Sequence, residues 1–145
     1  MPSGSQEEFE MKDLLVYIAG PISRGDLQQN VQQACQAGIR LMKAGIPVIV
    51  PHLTCYMGQV YDGQGAIPEV LPRGTVIEDW YGMSLAEVRR CDAVLRLPGE
   101  SRGADLEVEE MEKKGGPVFR NVQDVIEWAN EIEAENYPAA MSAAM

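Results

Sequence analysis

Apolar positions along the chain fall into short unbroken runs, separated by longer stretches with helical spacing. Leu14 to Ala19 (LLVYIA) is continuous, too short for a helix, and cut by Gly20-Pro21, which predicts a central strand of a parallel sheet. After the loop Gly20 to Asp26, whose last residue suits an N-cap, Leu27, Val31, Ala34, Cys35, Gly38, Leu41 and Met42 recur at spacings of three and four. That spacing predicts an amphipathic helix closed by Gly45. Ile46 to Val50 reads as a second strand with Pro47 confined to its start. Strand, helix and strand over this length form a βαβ unit with a right-handed crossover. The pattern then repeats. Trp80, Met83, Ser84, Glu87, Val88 and Cys91 share a helical run that feeds a strand at Asp92 to Leu97. Ala104, Val108 and Met111 form the inward stripe of the next helix, stopped by Gly115-Gly116. Pro117 to Phe119 gives a short strand, and Val122, Val125, Ile126, Trp128, Ala129 and Ile132 a closing helix. Such alternation predicts a three-layer, doubly wound α/β domain on a parallel sheet of four to five strands.

Polar and unpatterned stretches set the expected limits of that domain. Residues 1–12 read as a flexible leader too rich in Ser, Gly and Glu to bury a core, and 13–133 as one α/β domain. From Ala134 on, AENYPAAMSAAM is small and unpatterned, which predicts a tail either frayed or used in assembly. The connection 51–79 is long for a compact domain and carries Tyr56, Met57 and Tyr61 among glycines and prolines. It reads either as a lid or binding loop or as an insertion packed on its own side chains.

Composition narrows the function classes. A net charge of -10 and a pI near 4.5 argue against nucleic-acid binding, which needs a basic footprint to neutralise phosphates. No apolar run approaches a membrane span, and the acidic N-terminus has no apolar core of a signal peptide. The three cysteines, Cys35, Cys55 and Cys91, are an odd count without metal spacing and read as reduced thiols of a cytoplasmic protein. His52 is the single histidine, so a Ser-His-Asp triad or a Cys/His zinc site lacks material. No metal and no cofactor are expected.

Candidate chemistry collects at one edge. In a parallel sheet the ends of the first and third strands share an edge, and there open α/β sheets bind ligands. Gly20, Ser23 and Arg24 follow the first strand; Ser101, Arg102 and Gly103 follow the third. Each set offers a hydroxyl and a guanidinium suited to a phosphate or carboxylate, with helix N-termini behind them. The spacing is that of neither a dinucleotide-binding fingerprint nor a Walker loop. At 100° per residue Glu107 lies beside the inward stripe, while Glu109 and Glu110 fall farther out. Glu107 is therefore the acid of this helix best placed to face a pocket. The positive end of the helix would keep it ionised, as a covalent nucleophile requires. An ordinary helix carboxylate fits the same pattern. His52, after Pro51, falls on the functional edge and reads as a structural residue or a binding one. Asp79 suits an N-cap, and Asp92 a backbone bond at the bottom of the sheet.

Taken together, V-Y-I-A-G-P on the first strand, Asn30, C-D-A-V-L on the third strand and S-x-G-x-x-x-E resemble the nucleoside 2-deoxyribosyltransferase superfamily. That superfamily includes the nucleoside 5'-monophosphate N-glycosidases. The resemblance covers roughly Leu14 to Phe119 and implies a flavodoxin-like fold, a nucleoside or nucleotide substrate and homodimers or larger homo-oligomers. It implies cleavage or transfer of an N-glycosidic bond, with Glu107 as nucleophile and Tyr17 steadying the sugar and that glutamate. Ser101 matches a serine that contacts the 5'-phosphate in the monophosphate-hydrolysing branch; Ser23 and Arg24 match that branch's phosphate loop loosely. Where the family carries an aspartate that serves the base, this chain has Ser84, and a hydroxyl is no general acid near neutral pH. Asp79 is the acid one turn earlier. A non-catalytic nucleotide-binding module using the same pocket is the alternative.

Overall fold

The computed structural model describes residues 10–54, 57 and 77–144, with side chains of these residues except 77–80 and 136–144. Tyr56, Tyr61, Cys55 and the leader up to residue 9 lie outside the described residues, as does most of the connection 51–79. Among the described residues the elements in order are β1 (Val16–Ala19), α1 (Leu27–Lys43), β2 (Val48–Ile49), α2 (Pro51–Thr54), α3 (Ile77–Arg90), β3 (Ala93–Arg96), α4 (Arg102–Lys113), β4 (Val118–Phe119) and α5 (Val122–Ala144). The sheet runs β2-β1-β3-β4, with every pairing parallel. Helices cover both faces, giving a three-layer α/β fold of the flavodoxin-like kind.

Two-residue alternation on β1 decides which side chain meets which layer. Val16 and Ile18 join Ala93, Leu95, Ala34, Leu41, Val125 and Ala129 in the core beneath α1 and α5. Tyr17 and Ala19 point the other way, into a second core with Val88, Val94, Ala104, Val108 and Met111 from α3, β3 and α4. A slip of one residue would exchange the two sets, so burial on both faces pins the register Val16 opposite Ala93 and Tyr17 opposite Val94. Asp92 bonds the backbone at the bottom of the sheet: its Oδ2 accepts from the Leu15 N–H at 2.8 Å.

Several boundaries differ from the sequence reading for local reasons. The buried stripe of α1 is Ala34, Ala37, Gly38 and Leu41, and Met42 is exposed. Small residues bring the helix onto the sheet, where a Cβ on Gly38 would stand 3.1 Å from Val50 Cγ2. Gly45, with φ +79°, donates to Met42 O and ends the helix as expected of a left-handed glycine. Pro51 to Thr54, read as loop, is one helical turn. The closing helix does not stop near Ala134 but continues as α5 to Ala144, past Pro138. Among the described residues no helix is long and apolar enough to cross a membrane.

Candidate functional site

The chain winds one way from β1 to β2 and the other way through β3 and β4, so the switch point lies between β1 and β3. A cleft of about 570 Å³ opens there, at the carboxyl ends of both strands. The β1–α1 loop supplies Gly20, Ile22, Ser23 and Arg24 to one wall, and α2 adds Pro51 and Thr54. Tyr81, Met83, Ser84 and Glu87 come from α3, while Glu100 to Asp105 and Glu107 come from the β3–α4 loop and α4.

Both loops are tied down. Asn30 of α1 donates from Nδ2 to Ile22 O (3.1 Å) and Arg24 O (2.7 Å), fixing the first loop. Opposite, Arg96 at the end of β3 donates to Leu97 O, Gly99 O and Asp105 Oδ1, the last at 2.9 Å, and so holds the turn leading into α4. The loops also touch: a Cβ on Gly99 would fall 2.7 Å from Pro21 Cγ, and at φ +113° only glycine sits there without strain. Ser101 caps α4, its Oγ accepting from Ala104 N–H at 3.1 Å. The first amides of a helix have no intrahelical acceptor, so this end favours an anion.

Glu107 is 9% exposed and accepts from Tyr17 Oη at 2.7 Å through Oε2. The phenol stands under the wall of the cleft and steadies the carboxylate; it does not itself line the cavity. Burial pushes Glu107 up to about 7, against the Tyr17 and Ser84 hydrogen bonds and the Arg96 charge that pull it down. The helix end was expected to keep this carboxyl ionised; desolvation outweighs it. Burial and the neighbouring Glu107 push Tyr17 far up, so the phenol stays a donor throughout the accessible pH range. A carboxyl poised near neutrality, oriented by a buried donor and open to a cleft, is equipped for nucleophilic or acid–base work. Replacing Tyr17 by phenylalanine is expected to raise the Glu107 pKa by about one unit, since the donor favours the charged form. Carboxyl titration by NMR would check it; an unmoved pKa would exclude the role.

Gly20, Ser23, Arg24, Ser84, Ser101, Gly103 and Glu107 are thus brought together around one cleft. His52 is not among its lining residues. Fully buried, it donates from Nε2 to Pro21 O at 3.0 Å, and burial lowers its pKa, so the neutral ring braces the first loop from behind. Asp79 falls in the first turn of α3, and its side chain lies outside the described residues. Arg24, read as a guanidinium for a phosphate or carboxylate, pairs with Glu100. Sequence reasoning missed Tyr81, Glu87, Glu100 and Asp105 on the cleft wall and Arg96 behind it. Arg96 had a signal, a cation inside an apolar strand; Glu87 had one in its place three residues after Ser84 on the same helix face. Among the described residues no group of His, Cys, Asp and Glu is disposed to hold a metal ion.

No curated protein matches the chain. Residues 14–120, which include the whole sheet and every described residue that lines the cleft, match the model of a domain of unknown function (DUF4406), and the chain belongs to that family.

Proposed function

We propose that the cleft cleaves or transfers the N-glycosidic bond of a nucleoside or nucleoside 5'-monophosphate, with Glu107 attacking the anomeric carbon. The observation that carries this reading is the Tyr17–Glu107 hydrogen bond at the sheet edge, 2.7 Å long and buried. It presents a buried, oriented carboxylate to a cleft large enough for a nucleoside. A carboxylate stabilises an oxocarbenium-like transition state directly and then captures it as an ester that water or a second base resolves. Tyr17 is the positioning residue in this scheme. Ser23, Arg24, Arg102 and the N-terminus of α4 line the mouth where a 5'-phosphate would sit.

The test is incubation with a panel of nucleosides and their monophosphates, following free base. Release from at least one class is expected, and a protein that binds members of the panel while releasing nothing would instead be a nucleotide-binding module. Within the panel, the exposed Arg24–Glu100 pair gives a specific expectation. Glu100→Gln frees the guanidinium and removes a negative charge from the mouth. The KM for monophosphates should fall several-fold with that for nucleosides unchanged, and the gap should shrink at high salt. Equal KM changes for both classes would remove Arg24 from phosphate binding.

A further inference from the structure

We propose that Glu87 is the general acid that protonates the departing base, standing in on the next turn of α3 for the carboxyl that Ser84 lacks. This rests on the N-glycosidic reading above. Ser84 and Glu87 are three residues apart on α3, share one face, and both line the cleft. Four carboxyls line it among the described residues, and three are engaged: Glu100 with Arg24, Asp105 with Arg96, and Glu107 with Tyr17. Glu87 is the fourth. Its Oε1 is buried without a hydrogen-bond partner among the described residues, which leaves this oxygen open to hold a proton.

Among the described residues the groups around Glu87 are anionic or neutral, and the cations of the cluster are engaged: Lys114 donates to Arg89 O and Cys91 O, and Arg96 to Leu97 O, Gly99 O and Asp105. Tyr17 from β1 and Glu107 from α4 are both pushed up by its charge, as is Cys91 just past the end of α3, and Ser84 flanks it on its own helix. The cations next along α3 are used elsewhere, Arg89 on Glu110 and Arg90 on Ala86 O. Burial raises the Glu87 carboxyl above the ordinary range. Two close carboxyls hold one proton between them more readily than two charges, and the Arg96 charge, which pulls Glu107 down, favours leaving the charge on Glu107. The productive form has that proton on Glu87 and the charge on Glu107.

From it, the bond from C1' to the base nitrogen breaks with its electron pair moving to the base. Glu87 delivers its proton to the base as Glu107 bonds to C1'. In the second step water attacks C1', its proton returns to Glu87, and the ester electron pair returns to Glu107, which restores both carboxyls.

The experiment compares an ordinary purine nucleoside with its N7-methylated counterpart, whose base is already cationic and leaves without a proton. Glu87→Gln should lower kcat on the ordinary substrate about a hundredfold or more and on the methylated one only a few-fold. It should also abolish the alkaline limb of the pH profile. Cleavage of the methylated nucleoside doubles as proof of folding, and Glu87→Met serves as second variant if glutamine does not fold. Equal loss on both substrates by a folded variant, or no loss on either, overturns the assignment to Glu87 while the N-glycosidic reading stands. Wild-type protein inert towards both substrates, towards their 5'-monophosphates and towards the rest of the panel removes that reading, and the acid with it.

Discussion

Glu107→Gln is expected to lower base release by at least about a thousandfold, because an amide neither attacks the anomeric carbon nor carries the charge that steadies an oxocarbenium ion. The substitution keeps the size of the side chain, and its amide oxygen can still accept from the Tyr17 hydroxyl that now meets Oε2. A loss of rate therefore reports chemistry and not collapse of the cleft. The drop should appear in kcat, with substrate affinity little changed, since the interaction is made mainly in the transition state. For wild type acting on a base that leaves without a proton, kcat/KM should rise with pH as Glu107 ionises around about 7. A slow substrate with a fluorine beside the anomeric carbon should leave a glycosyl ester on the peptide that holds Glu107, detectable by mass. Undiminished turnover by the glutamine variant, or an adduct on another residue, would end the case for this nucleophile.

What was legible beforehand, and what was not, divides along a physical line. The unbroken apolar run Leu14 to Ala19 implied a strand buried on both faces, and such a strand must send Tyr17 and Ile18 to opposite layers. Helical spacing turned Glu107 towards the core for the same geometric reason, and the shared sheet edge followed from parallel pairing. Quantities that depend on the sum of the surroundings were not legible. The sign of the Glu107 shift came out opposite to the helix-dipole argument, because desolvation depends on everything packed around the carboxyl and not on its own element. His52 sits at the expected edge yet faces inward to a carbonyl, a choice made by the path of Pro21. Arg96 and Glu87 were visible as residues but not as partners; one closes the β3–α4 turn and the other is left with a bare oxygen. The family match, to a domain of unknown function, covers the same cleft without deciding its chemistry.

Glu107 should also make the fold less stable as pH rises, and by a measurable amount. Its folded-state pKa of about 7 lies above the ordinary 4.5, so the folded chain binds this proton more tightly than the unfolded one. Stability from the group is fully present below about pH 4.5, is lost as pH climbs through about 7, and levels off above it. At 1.36 kcal/mol per unit the total loss is about 3 kcal/mol, a substantial part of the stability of a small domain. Glu107→Gln has no proton to lose, so urea unfolding at pH 5 and pH 9 should show the variant gaining about 3 kcal/mol on wild type across that interval. Glu87, raised by burial too, adds a loss of the same sign in both proteins, and the difference between them cancels most of it. Parallel stability curves would mean that the carboxyl is hydrated in the folded state and is not poised. A widening gap together with lost turnover would mean that the fold keeps, at a cost, a charge it would be more stable without, as expected where one carboxylate serves the reaction rather than the core.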